Sequence, residues 1–593
     1  MSNPMARPCP PQGTHAHAGR LAGTAALLAL LVSPACDSDS GPPGVECTEG
    51  VVTCSDDGTE ILSCSGGQWA RTYCMRDQLK LCEDEQCVDP WRHGSPNWSK
   101  CESDPDATVE SLADKAQGYE EIAKRLHVHP DLKWMLGVTL PCLTSECTEP
   151  AVPESQATWQ DVELWHSGEN DGLWSALYLT AQAYRYGVTQ DPEALDMIKL
   201  LLEGQRRRMA ITGVPGIYTR QLIPPSFDGL SCPTAPEDYL VDEEKDDNKW
   251  VRVGPDGCVQ VTDPDTMDFV STDHCGLDEF AGWCWLDNVS EDEYSGHMLA
   301  HAAVARLVDH PEVQASNAAL VAQVGQHLVD HKLELYDWDG RRTEHGKLWG
   351  GDVLGGYMAT MTLAFMKTAA VGTGDPAFQA FIDQCMLMRT SGDQACLDQF
   401  GAATQPYDEL VWQAALDMGC KSNWNNFSMH MLSLHTLLML EQEPDLRATF
   451  QSALKNDMFD FAESERPLKE QNNAFYDFIF AADKALGPAS DGPAYEAVEN
   501  GICMLRQFPA SEHLREMSCP ADPCVPVCED RFDRPMTNYA RPMKERCMGT
   551  FVWWKSPYSL SECTEDLRTI KPPADYLLPY WMGRYYGFID ETM

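Results

Sequence analysis

Carboxylates and amides recur beside tryptophan at the predicted starts of successive helices. The segments are WHSGENDGLW from Trp165, WLDNVSEDE from Trp285, KLWGGD from Lys347 and NWNNF from Asn423; EQNNAF from Glu470 is a relative without tryptophan. Cleavage of a glycosidic bond needs two carboxyl groups roughly 5–9.5 Å apart, one to protonate the leaving oxygen and one to act as base or nucleophile. Asp171 and Asp292 stand in the two most distinctive segments and form the first candidate pair, with Glu169 and Glu293 in reserve. Which is acid and which is base depends on burial and neighbouring charge, and the sequence does not assign it. Trp165, Trp174, Trp285 and Trp349 offer broad apolar faces with a polar edge, suited to stacking on sugar rings. Asn170, Asn425, Asn426, Asn472, His166, Arg220 and His297 supply polar groups for a bound sugar.

A plainer reading competes for the same residues. Ser, Asp and Asn are preferred N-caps, and acids in a first turn favour the helix dipole. Ser290 followed by Glu293 fits a capping box. Capping accounts for the acids and amides but gives no reason for tryptophan.

The candidates act together only if their helices begin at one end of the fold. Apolar periodicity predicts helices near 109–126, 172–186, 291–308, 351–370, 426–441 and 473–486. A second helix follows five of these, opened by Asp191-Pro192, His310-Pro311, Asp375-Pro376, Glu443-Pro444 and Gly492-Pro493, with proline at the first helical position. His129-Pro130 opens only a short sixth partner. Repeated hairpins with few strand signals predict a mainly α fold, an (α/α)6-type toroid over 105–593. First helices in such a ring run the same way, so their starts share one rim. The segments ENDGLWSALYLTAQAYRYGVTQDPEA, WLDNVSEDEYSGH and DYLLPYWMGRYYGFI resemble those of bacterial exported proteins with six-hairpin, glycosidase-like toroids. The resemblance spans about residues 160–590 and implies a carbohydrate-active protein; it assigns no catalytic residue, and fold analogy alone gives no function.

Ahead of the toroid, Arg7 and Arg20 precede the apolar stretch LAGTAALLALLV, and SPAC closes at Cys36: residues 1–35 read as a signal peptide. The pattern resembles a bacterial lipoprotein signal and implies lipidation of Cys36, although Ser33 and Pro34 depart from it. A tether follows over 36–46, then a disulfide-rich module over 47–101. Export makes disulfides the expected state of most of the 24 cysteines. An insertion at about 224–284 carries Cys232, Cys258, Cys275 and Cys284 among acidic runs and reads as a disulfide-tied loop near the mouth of the ring. Its carboxylates would suit a structural calcium ion, but no regular loop spacing calls for one. No cofactor and no metal site is predicted. His297 and His301, four apart, lack the glutamate that defines the zinc-protease helix.

The net charge of -47 excludes nucleic acid as a partner, whose phosphates demand Lys and Arg. It also turns the substrate expectation toward a neutral polysaccharide or oligosaccharide. A polysaccharide lyase, using a base such as His166, His297 or Tyr294 with Asn170 and Arg220, ranks below hydrolysis for the same reason. The alternative from another class is a non-catalytic surface lipoprotein that binds a glycan or a protein. Oligomeric state is not written in the sequence.

Overall fold

Local chemistry sets where the helices start. The Asp191 and Asp375 carboxylates each accept the N–H two residues further on at 2.9 Å, and Pro192 and Pro376 take the first helical position, where a missing N–H costs nothing. Pro311 and Pro444 open helices at the same position. The computed structural model describes residues 111–593 except 144–149, 242–246, 350–354, 389–404, 412–415, 463, 465, 486–491, 510–526, 538–539, 548, 550, 561–565, 567, 590 and 592, with short stretches between 48 and 88. The expected signal peptide, Cys36 and the whole of the tether lie outside the described residues, as does most of the cysteine-rich module.

The chain divides into two compact units, Met1–Val51 with Cys64–Ala70, and Val52–Ser63 with Arg71–Met593. In the first, the Gly50 N–H donates to the Cys64 carbonyl at 3.1 Å. The second begins with short antiparallel pairings that set Val52 opposite Ser63 and Cys82 opposite Cys87.

The helices of the second unit come in pairs. They are α1 (Leu112–Ile122), α2 (Asp171–Thr189), α3 (Pro192–Ala210), α4 (Glu291–Leu307), α5 (Pro311–Asp330), α6 (Gly355–Thr373), α7 (Pro376–Phe381), α8 (Trp424–Leu440), α9 (Pro444–Ser452), α10 (Ala474–Ala485), α11 (Gly492–Gln507) and α12 (Ala574–Tyr585). The first members pack in the order α2, α4, α6, α8, α10, α12, and α12 packs back on α2, so the order closes on itself. α3, α5, α7, α9 and α11 each pack on the helix before them. α6 is buried along nearly its whole length, as an all-round apolar helix must be. α3 instead buries a stripe that includes Ala194, Ile198, Leu201, Leu202 and Met209, leaving its other face to solvent.

Two expectations are corrected. His129-Pro130 opens no helix: α1 ends in a wider π turn (Ala123–His127), and the chain then enters strand β1 (Gly137–Thr139). The partner of α1 is α12, which pairs the first and the last of these helices. The insertion is not merely a loop. After β2 (Leu164–His166), the strands β3 (Gln221–Ile223), β4 (Trp250–Val253), β5 (Cys258–Thr262), β6 (Phe269–Cys275) and β7 (Cys284–Leu286) form an antiparallel sheet in the order β6-β5-β4-β7-β3. Disulfides join Cys258 to Cys275 across β5 and β6, and Cys232 to Cys284. Val251, Val253 and Val259 bury against Trp165 and Trp285 in a core of their own. β7 leads directly into the start of α4.

Candidate active site

Where α2 and α4 begin, a carboxylate reaches across from one helix to the other. Asp171 is the first residue of α2 and only 5% exposed; its Oδ2 accepts the Ser167 hydroxyl at 2.8 Å. Burial pushes this carboxyl up to about 7, against the pull of Arg208. Glu293, in the first turn of α4, has no exposed surface, and its Oε2 accepts the Leu173 N–H of α2 at 2.7 Å. Burial pushes it up to about 8, while Arg208 and Arg220 pull the other way. The expected capping box is therefore absent. Ser290 makes no side-chain cap bond, and Glu293 serves the neighbouring helix instead of its own. Asn170 and Asn423, the N-cap residues of α2 and α8, likewise make no side-chain cap bond.

Behind this crossing lies a buried polar set. His297, one turn after Glu293, stacks on Tyr218 with ring centroids 4.1 Å apart, and its Nε2 stands 3.4 Å from Glu293 Oε2. Among the described residues neither ring nitrogen has a hydrogen-bond partner, nor do Glu293 Oε1 and Arg208 Nε and Nη2. Burial holds His297 well below the usual imidazole range, so it is neutral at physiological pH.

The outer part of the site is more open. Asp292 is half-buried, and its Oδ2 accepts an N–H from Asn425 Nδ2 of α8 at 3.0 Å. Burial raises it to about 6, with Arg220, His345 and Arg531 acting to lower it and Glu293 to raise it. Glu291, buried beside it, is pushed up to about 8 by burial and by the Asp292 charge. Arg220 donates through Nε to the Asn288 carbonyl at 2.7 Å and through Nη1 to Asn170 Oδ1 at 3.3 Å. Next to Asn425 opens a cavity of about 240 Å³, walled by Asn423–Asn425, Asp530–Phe532 and Trp554–Pro557 among others. Trp174, near the start of α2, packs on Trp554 at 4.8 Å, so the same cavity wall touches α2.

Asp171, Asp292, Glu293, Asn170, Arg220, His297 and Asn425 are thus gathered at one end. The other expected residues are placed differently. Glu169 is exposed in the turn before α2. Trp165 and Trp285 are 3% and 0% exposed in the core beneath the sheet, where no ring face is open to a sugar. His166 shares a hydrogen bond with Thr139 Oγ1 at 2.6 Å. Trp349 is half-buried, its Nε1 donating to Glu334 at 3.2 Å and its ring covered by Lys347 at 4.0 Å. Asn426 Oδ1 accepts from Asn423 at 2.8 Å, and Asn472, with a left-handed φ of 49°, donates to the Ala540 carbonyl at 2.9 Å.

Glu291, Arg208, Arg531 and Trp554 belong to the site region and were not singled out by sequence. Glu291 stood in a quoted segment, beside Asp292 and Glu293. Arg208 lies on a second helix, and its burial depends on what packs over it. Among the described residues no cluster of three or more His, Cys, Asp or Glu is arranged to hold a metal ion, and no helix is long and apolar enough to cross a membrane.

No family model and no curated protein matches this chain. Solved structures similar to it include a glycoside hydrolase family 76 mannosidase, Bt3792 from Bacteroides thetaiotaomicron, at 10% identity and a TM-score of 0.35, covering 80% of this chain and 98% of that one. A metagenome-derived family 9 endoglucanase is similar at 13% identity and a TM-score of 0.36, covering 81% of this chain and 80% of that one. The family 9 endoglucanase J30 is similar at 11% identity and a TM-score of 0.36, covering 90% and 89%. Likeness at this level assigns no family, and the chemistry below is taken from the residues alone.

Proposed function

We propose that this is an exported, lipid-anchored glycoside hydrolase on a six-hairpin toroid, with Asp171 as general acid and Asp292 as the second carboxylate. The observation that carries the reading is that polar residues at the starts of α2, α4 and α8 are not spent on their own helix ends. Glu293 bonds from α4 to the start of α2, Asp292 accepts from Asn425 of α8, and the Glu293 charge acts on both Asp171 and Asp292. Two carboxyls whose surroundings push them to different degrees suit an acid and a base. Asp171, raised to about 7, holds its proton near neutrality. Asp292, raised only to about 6, is largely ionised there, and Asn425 orients it. Glu293 supports both by fixing the start of α2 against α4. The arrangement disfavours a lyase that uses Tyr294 or His297 as base, since neither has exposed surface from which to take a proton.

The second reading is a surface protein that binds a glycan without turnover, favoured by the depth of Asp171. Both are tested by incubating the purified full chain with a polysaccharide panel, following reducing ends and the ultraviolet absorbance of unsaturated uronates. Asp171→Asn and Asp292→Asn are expected to lower hydrolysis by roughly 10²–10⁴-fold each. Unchanged turnover in both variants sinks the assignment. Saturable binding without turnover supports the second reading, and unsaturated products would mean a lyase.

A further inference from the structure

The overall acidity points to a neutral sugar, but the cavity beside Asn425 is locally basic. Its wall carries Arg531, Arg534, Arg541, Arg546 and Lys555, with Asp530 as its one acid. Asp530 is engaged by Arg534, Nε to Oδ2 at 2.7 Å, and Glu545 lies 3.6 Å from Arg541. Asp575, buried behind the wall, acts on Lys555. Arg531 is exposed, rests its guanidinium over the Phe532 ring at 4.6 Å and makes no ion pair among the described residues. Arg546 is 6% exposed; its Nε donates to the Arg541 carbonyl at 2.9 Å and its Nη2 to the Asn472 carbonyl at 2.8 Å. Its Nη1 has no acceptor among the described residues. The same is true of the indole N–H groups of Trp424 and Trp554 in this wall. The wall therefore carries net positive charge, and a group bearing negative charge and several acceptor oxygens meets it with charge-assisted hydrogen bonds.

We infer that this cavity receives a sugar carrying an anionic substituent, a carboxylate or a sulfate ester, and that the substrate is an acidic rather than a neutral glycan. This rests on the carbohydrate reading above and revises its substrate class. The cavity shares Asn425 with the Asp292 hydrogen bond, so an acidic sugar held there places the neighbouring linkage beside Asp292. Trp554, which packs against Trp174 of α2, supplies apolar surface at the same spot.

The test is titration calorimetry on the full chain with an oligogalacturonide, a sulfated galactan oligosaccharide and a neutral gluco-oligosaccharide of equal length. At low salt, one of the two acidic sugars is expected to bind at least about tenfold more tightly than the neutral one. The preference should shrink as sodium chloride screens the charges. Which acidic sugar wins identifies the substituent. Arg531→Gln and Lys555→Gln, both at exposed positions, should together abolish the preference while the melting temperature stays unchanged. Equal or tighter binding of the neutral sugar overturns the inference and leaves the carbohydrate reading standing. A preference untouched by the double substitution also overturns it, because the anion is then held elsewhere. Failure to bind any of the three sugars removes both readings.

Discussion

At the residue scale, the carboxyl groups at the starts of α2 and α4 make the fold sensitive to pH. Asp171 is raised to about 7, and Glu291 and Glu293 to about 8. In the unfolded chain each titrates near 4. A carboxyl whose folded pKa is raised contributes stability that is present below about 4 and is lost as pH rises through the folded value. His127, His301 and His435, lowered to about 4 by burial, act in the opposite sense, but only below about 6.5. Between pH 6.5 and 8 the carboxyls act alone, and stability should fall by up to about 1.4 kcal/mol per pH unit for each. Calorimetric melting across that window should show the decline, and Glu293→Gln should make it shallower. A flat profile would mean that these groups titrate normally. Asp171 and Asp292 were legible in the sequence because residue type and helix start marked them. Trp165 and Trp285 misled, because a ring near a polar segment reads the same whether it faces solvent or packs under a sheet of valines.

At the element scale, the site depends on how closely α2 crosses α4. A Cβ on Gly172 would stand 2.8 Å from Glu293 Oε2 and His297 Nε2, and one on Gly296 would stand 2.8 Å from Leu173 Cγ and 3.1 Å from its backbone. These glycines let the Glu293 carboxylate reach the Leu173 N–H. Gly296→Ala must push the helices apart and should cost about 1–3 kcal/mol, as overpacking does. Gly355→Ala, whose added Cβ meets nothing within 4 Å among the described residues, is the control and should be close to neutral. Equal melting temperatures for the two variants would show that the crossing is loose. The helices themselves were readable, because cap residues and Pro at the first position announce them. The β4–β7 sheet was not, since Val251, Val253 and Val259 are scattered among acids, glycines and short turns. The register that buries them comes from pairing with distant strands.

At the scale of the whole molecule, a single buried carboxylate joins the first and last helices of the second unit. Glu120 of α1 accepts the Trp581 indole N–H of α12 at 2.7 Å, the Gln182 amide of α2 at 2.8 Å and the Tyr178 hydroxyl of α2 at 3.0 Å. Arg185 stands 3.4 Å away. Three helices from opposite ends of the sequence therefore meet on one side chain, at the seam where α12 packs back on α2. No local pattern announces this seam, because α1 reads as the opening of a hairpin whose second helix never forms. Glu120→Ala leaves three donors without their acceptor in the interior, while Arg185 keeps Asp191 and Glu193, and should cost about 3–5 kcal/mol. If the seam closes the ring cooperatively, the loss will not stay local. Amide hydrogen exchange should rise together in α1, in α12 and at the start of α2, and the Asp171 site should loosen with them. Faster exchange in α1 alone, with hydrolysis unchanged, would mean that α1 is an attached strut and that the ring is held closed by the contact of α12 with α2.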